Sequence, residues 1–224
     1  PVYNAAAYLP EWLDSILAQS IDDWELLAVD NDSTDDSLAI LRSYAARDAR
    51  IRVFSNAPNS IILALRLALR ASHGTWITRM DADDRMAPQK LALLRQALVD
   101  KGRGYLATGL VQYFSATKLG DGYRRYAAWL NALTWQSRNF DDRYKECVIP
   151  SPCWMCHRED LLRCGAFDSD RYPEDYDLAF RFYQGGLQVV GVPDLLHFWR
   201  DYGERSSRTS PHYSDIRFLD HKVD

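Results

Sequence analysis

Apolar positions recur along the first hundred residues with two alternating periods. Residues 5–19 place Leu9, Trp12, Leu13, Ile16 and Leu17 on one helical stripe, and Pro10 falls near its start, where a missing N–H is tolerated. Trp24-Glu25-Leu26-Leu27-Ala28-Val29 is an apolar run of strand length that stops at Asp30-Asn31-Asp32. Ser33-Thr34-Asp35-Asp36 then supplies an N-cap and first-turn acids for a helix through Leu38, Leu41 and Tyr44. Residues 51–55 read as a strand, 60–72 as a helix closed by His73-Gly74, and 75–80 as a strand. Residues 88–99 read as a helix with Leu91, Leu94 and Leu98 on one face. This alternation predicts βαβ units, hence an α/β fold with a mostly parallel sheet flanked by helices.

Beyond residue 100 the pattern is less regular. Residues 105–114 read as a strand, 123–135 as a helix with Tyr126, Leu130 and Leu133 in register, 147–157 as an extended stretch and 158–164 as a short helix. Pro173 opens a helix over 173–183 with Glu174 and Asp175 in its first turn. Residues 187–192 form a strand, and 195–199 a second one. There is no repeat and no low-complexity linker, so one domain over residues 1–224 is expected. Pro1-Val2-Tyr3-Asn4 reads as the end of a strand with no Met before it, so a fragment of something longer is expected.

The predicted topology collects polar residues. Asn4, Asp30-Asn31-Asp32 and Asp81-Ala82-Asp83-Asp84 all fall at the carboxyl ends of strands, the edge on which open α/β sheets bind ligands. Three carboxylates within four residues repel one another, and a hard divalent cation between them is the usual remedy. The plainer alternative is a solvated turn in which Asp83 or Asp84 caps the next helix near Pro88.

Composition removes some functions. The net charge of −4, from 27 basic and 31 acidic residues, argues against binding a nucleic-acid backbone. No run approaches the ~18 apolar residues of a membrane span, and no signal-peptide pattern is present. Cys147, Cys153, Cys156 and Cys164 fall in one short region, and Cys153-Trp154-Met155-Cys156-His157 has the spacing of c-type haem attachment. A zinc site is the other alternative, but the second pair lacks CxxC spacing, so buried free thiols are the favoured reading.

Taken in order, these clusters resemble the family 2 glycosyltransferases of GT-A fold over nearly the whole chain. Pro1-Val2-Tyr3-Asn4 is similar to that family's opening motif, and Val29 to Asp35 to its uridine-binding turn. Arg79-Met80-Asp81-Ala82-Asp83-Asp84 resembles its metal-binding DxD. Gly165-Ala166-Phe167-Asp168 followed by Pro173-Glu174-Asp175-Tyr176-Asp177-Leu178 resembles its acceptor-side loop and ED motif. The chain departs at Asp30-Asn31-Asp32, where the family usually has Asp-Asp-Gly, at Ile61, often a glycine, and at Tyr202, where many members carry a metal-reaching histidine.

The resemblance implies transfer of a sugar from a nucleotide-diphosphate donor, expected to be a UDP-sugar, to a hydroxyl of a glycan or lipid-linked acceptor, with inversion. Residues 1–114 would bind the donor and 115–224 the acceptor. Asp83 is the expected ligand of Mg²⁺ or Mn²⁺; Asp81 shares it or holds the ribose, and Asp84 is a weaker candidate. Pro1, Tyr3, Asn4, Asp30, Asp32, Arg66, Asp81 and Ala82 would line the donor site, with Asp30 accepting the uracil N3–H and Arg66 reaching phosphate. Asp175 is the expected base, positioned by Glu174; without the upstream motifs both acids would merely complement a helix dipole. Trp154 and Arg200 are expected on the acceptor side. Arg200, Arg205, Ser206, Ser207 and Arg208 would form a flap over the diphosphate, or else a solvated tail. Trp129 and Trp135 lie in an aromatic-rich stretch suited to sugar rings or a membrane surface, which is consistent with a cytoplasmic enzyme at the inner face of a membrane. A sugar nucleotidyltransferase is a rival, but it would want a glycine-rich basic loop where Ala5-Ala6-Ala7-Tyr8 stands; a carbohydrate-binding module would not need Asp83 and Asp175 together.

Overall fold

The computed structural model describes residues 1–203, 205, 211–213, 217–219 and 222. Helix α1 (Leu9–Leu17) buries Leu9, Trp12, Leu13 and Ile16, the stripe the sequence marks, and Pro10 lies in its first turn. Strand β1 (Leu26–Asp30), helix α2 (Ser37–Ala45) and strand β2 (Ile51–Ser55) make one βαβ unit, with β1 and β2 parallel and Asp30 opposite Ser55. Helix α3 (Ile61–Ala71) starts at Ser60, whose hydroxyl accepts from Leu63 N at 3.3 Å. Val2 continues the layer by a parallel bridge to Asp30: its N–H donates to Val29 O, and its carbonyl accepts from Asn31 N.

A second sheet has the order β3 (Trp76–Thr78), β6 (Trp154–His157), β5 (Tyr105–Phe114), β7 (Gln188–Arg200), β4 (Arg85–Met86). Here the expectation of mostly parallel strands needs correcting: only β5 and β7 run parallel, and the other three pairings are antiparallel. An apolar run does not encode direction. Direction follows from connections, and the long segment between α5 (Asp121–Trp135) and β6 returns the chain from the opposite end.

The outer strands β3 and β4 are joined by residues 79–84 alone. Five strands at about 4.8 Å spacing would put those edges about 19 Å apart in a flat sheet. The steps from Thr78 to Arg85 reach about 25 Å only if fully extended, but the loop turns, with Asp84 N donating to Asp81 O, so it crosses the rim of a sheet whose edges curl closer than that. The two strands expected over 187–199 are one long strand, β7, with register shifts at Gly109 and Leu110 of β5. Gly109 is required there, because a Cβ would lie 2.5 Å from Leu196 Cδ1.

Helices α4 (Lys90–Val99), α6 (Arg158–Arg163) and α7 (Glu174–Gln184) complete the layers. One core joins α1 and α4 to the sheets through Leu13, Leu94, Val111 and Trp199. A second packs α6 and α7 against β6 through Trp154, Leu161, Tyr176 and Phe182. All four cysteines are buried and free, in line with the thiol reading. A cavity of about 640 Å³ separates β1 from β3, lined by Leu26, Ala28, Trp76, Thr78, Trp12 and Leu65 among others. It is mostly apolar and reaches the acidic rim only at its Pro1 and Arg79 end. Among the described residues no helix is long and apolar enough to cross a membrane.

Candidate active site

The chain leaves β3 with Thr78 Oγ1 donating to Trp154 O at 2.5 Å and then turns through the acids. Each acid has a different environment. Asp81 Oδ1 lies 3.2 Å from Arg79 Nη2; burial pushes its pKa up, but Arg79 together with further positive groups, His197 and Arg205 among them, outweighs this and holds it below the usual carboxylate range. Asp83 is half-buried and has no such partner: Tyr202 OH donates to its Oδ2 at 2.9 Å, a neutral phenol rather than a cation. Burial, with Asp84 and Asp81 adding like charge, raises its pKa to about 7.

Asp84 is fully buried and both oxygens are committed, one accepting from Arg200 N at 2.7 Å and the other bonded to His197 Nε2 at 2.9 Å. Lys90, also buried, lies 3.4 Å from His197 Nδ1 and donates to Pro152 O. Asp84 therefore anchors the loop, and its place as a weaker metal candidate is corrected: it is fully buried and each oxygen already has a partner. Burial drives its pKa to about 8 and holds His197 well below the ordinary imidazole value.

The turn after β1 closes this rim. Asp32 takes a left-handed φ of 69°, the conformation for which glycine is usual, and aspartate is among the few residues that tolerate it. Asn31 knots the turn to the start of α3: its Oδ1 accepts from Asn56 Nδ2 at 2.8 Å and Ser60 N at 2.9 Å, and its amide donates to Asn59. Asn4 is similarly occupied, accepting from Thr34 N at 2.8 Å while its own N–H donates to Ser33 Oγ. Tyr3 stays half exposed, Pro1 sits at the cavity mouth and Ala82 is buried. Asp30 is 4% exposed, and its Oδ1 has no hydrogen-bond partner among the described residues. A buried acceptor left unpaired is costly and is suited to a ligand donor.

Across the rim, Pro173 leads into α7. Glu174 is buried with both oxygens engaged: Arg79 Nη1 is 2.9 Å from one, and Tyr213 OH donates to the other at 2.9 Å. Asp175 follows, half-buried, with Oδ1 accepting from its neighbour Tyr176 N at 2.9 Å. Burial first, and then Glu174, raises its pKa to about 7. Arg79 thus ties the loop after β3 to the start of α7.

Three expected residues lie elsewhere. Trp154 is 2% exposed and packs edge-on against Phe182, so it is core and presents no face to an acceptor. Arg66 is spent on the 167–170 loop, donating to Phe167 O at 2.7 Å and Asp168 O at 2.6 Å and pairing with Asp170, because α3 faces that loop. Arg200 lies on the acidic loop instead of an acceptor wall: Nε donates to Asp83 O at 2.7 Å and Nη2 pairs with Glu11. Of the expected flap, Arg205 lies near Asp83 and Asp84, which raise its pKa against the effect of burial. Ser206, Ser207 and Arg208 lie outside the described residues. Arg79, Lys90, His197 and Tyr213 were not singled out from the sequence. The one available signal was Arg79, a charge at the end of an otherwise apolar strand.

Among the described residues, no three His, Cys, Asp or Glu side chains are grouped to hold a metal by themselves. Asp83 nonetheless suits a hard cation whose remaining ligands come from elsewhere, since one oxygen is met only by a phenol, Arg205 falls short of balancing the acidic cluster, and the donor set is all oxygen.

This fold and site define a glycosyltransferase of GT-A architecture. The profile of Glycosyl transferase family 2 matches residues 1–165, and the chain belongs to that family. The putative teichuronic acid biosynthesis glycosyltransferase TuaG of Bacillus subtilis (strain 168) is 29% identical over 203 residues, 89% of this chain and 76% of its own. The crystal structure of S. aureus TarS 1–349 in complex with UDP-GlcNAc superposes with a TM-score of 0.71 at 17% identity, over 94% of this chain and 59% of TarS. The mannosyltransferase PcManGT from Pyrobaculum calidifontis, in complex with GDP-Man and Mn²⁺, gives 0.67 at 23% identity, over 88% of this chain and 54% of its own. The chain thus spans under two thirds of these solved relatives.

Proposed function

We propose that this chain is a metal-dependent, inverting glycosyltransferase that moves a sugar from a UDP-sugar to a hydroxyl of a glycan or lipid-linked acceptor in cell-surface polysaccharide assembly. The observation that carries the reading is the Arg79 bridge, which bonds both Asp81 of the acidic loop and Glu174, the neighbour of Asp175, at the start of α7. UDP-GlcNAc in TarS, GDP-Man with Mn²⁺ in PcManGT and teichuronic acid synthesis for TuaG support the donor, the cation and the product class.

Asp30 Oδ1, buried and unpaired, accepts the uracil N3–H, while Tyr3 and Asp32 border the base. Asp83, with Asp81 beside it, would hold Mg²⁺ or Mn²⁺, which when bound supplies positive charge against the departing diphosphate. Asp81 is the better ribose contact, since Arg79 already balances its charge. Asp175, ionised, takes the proton from the acceptor hydroxyl as its oxygen attacks the anomeric carbon. The new C–O bond forms opposite the old one, the diphosphate leaves with the electron pair of the broken bond, and the configuration inverts. The donor is bound by residues 1–114 and the acceptor by 115–224. A lipid-linked acceptor would be met at the cytoplasmic face of a membrane, by peripheral contact.

The test is release of nucleoside diphosphate from UDP-, GDP- and dTDP-sugars in Mn²⁺. Asp83→Ala should remove metal-dependent turnover, and Asp175→Asn should lower kcat by about 10²–10⁴-fold. Turnover indifferent to both variants, or no turnover of any donor, would refute the assignment.

A further inference from the structure

Arg79 stands at the end of an apolar strand with its side chain 6% exposed. Its fork is divided between two acids far apart in the chain, Glu174 Oε1 at 2.9 Å and Asp81 Oδ1 at 3.2 Å. The second oxygen of Glu174 accepts from Tyr213, in the short 3-10 turn Pro211–Tyr213. A continuous line of buried and part-buried polar contacts, Asp81–Arg79–Glu174–Tyr213, thus joins the loop after β3, the start of α7 and the segment near the end of the chain.

Stability alone does not account for such a line. Desolvating a guanidinium and two carboxylates costs much of what their attraction returns, and apolar residues of similar volume often do as well. What only arginine provides is a rigid planar fork that fixes two carboxylates at a set separation. Glu174 itself has no oxygen left for an acceptor. Asp175 is the next residue, tied to the backbone of Tyr176, so whatever fixes Glu174 fixes the base.

The geometry points to Arg79 as a positioning residue that holds the start of α7, and with it Asp175, at one distance from the donor-side acids. Glu174 is the other half of the same device. This rests on the transferase reading above, in which Asp175 is the base and the Asp81–Asp83 loop faces the donor. A base displaced by about 1 Å loses about 10²-fold in rate, whereas donor affinity changes little as long as a cation stays beside Asp81, the donor-side end of the link.

Arg79→Lys keeps the charge and the buried stem but cannot present a fork to both acids. With the donor panel above, its kcat should fall about 10²-fold while donor KM stays within about threefold and the melting temperature stays close to that of the unaltered protein. Arg79→Met strands two buried carboxylates and is expected to fold poorly. Glu174→Gln is therefore the second arm. It should lose kcat comparably, and the double variant Arg79→Lys/Glu174→Gln should lose little more than either single change, because both break one link. Unaltered kcat in Arg79→Lys, a loss expressed in donor KM alone, or losses that multiply in the double variant would overturn the proposal. Asp175→Asn assayed alongside separates the two readings: if it is inactive while Arg79→Lys is normal, only the role of Arg79 falls. If it transfers normally, the base assignment falls and this proposal with it.

Discussion

Asp175 keeps its proton to a higher pH than an exposed carboxylate because burial and the neighbouring Glu174 both disfavour the anion. Two consequences follow at this residue. As the proposed base it must be ionised to act, so kcat should fall tenfold per pH unit below about 7 and level off above it. A pH–rate profile checks this, and an acid limb near pH 4 would contradict it. The same shift bears on stability with the opposite sense. The native state holds the proton between the unfolded value of about 3.9 and about 7, so this group's contribution is present at low pH and is lost as pH rises through that window. Asp175→Asn, which cannot ionise, should therefore melt higher than the unaltered protein at pH 8, by less at pH 5, and differ little from it only below about pH 4. Activity and stability then trade against each other at one side chain.

Among the elements, the β5–β7 pair is the most tightly specified. Gly109 lets Leu196 cross β5 at a distance that no Cβ would allow. Gly109→Ala should destabilise by about 1–3 kcal/mol through overpacking, read as a lower midpoint in urea at unchanged slope. How far such elements could be read from the sequence depended on what encodes them. Periodicity gave β2 and β5 with their observed bounds, and Pro173 marked the start of α7. The two residues of β4 carry no period at all, and strand direction is set by connections rather than by side chains. Short motifs placed the acids of the rim, because those residues are close in sequence. The partners that give each acid its character, Arg79 for Glu174 and His197 for Asp84, come from distant segments and became visible only once the chain was folded. Trp154 went wrong for a related reason: an aromatic residue looks alike in sequence whether it faces a sugar or Phe182.

At the scale of the molecule, β1–β2 and the five-stranded sheet are separate hydrogen-bonded frameworks, held together by α1, α3 and side-chain packing. The cavity between β1 and β3 lies along that division. Regions that share few ladder bonds with the rest open at lower free energy than the whole. In deuterium exchange followed by mass spectrometry, peptides over β1 and β2 should therefore label well before those over β5 and β7. Uptake at one common rate would show the two layers to be a single cooperative unit. If the order holds, the turn at Asp30–Asp32 proposed to face the nucleotide rides on the looser layer, and the proposed base Asp175 on the firmer one. Product could then be let go by loosening one framework while the groups that deprotonate the acceptor stay in register for the next turnover.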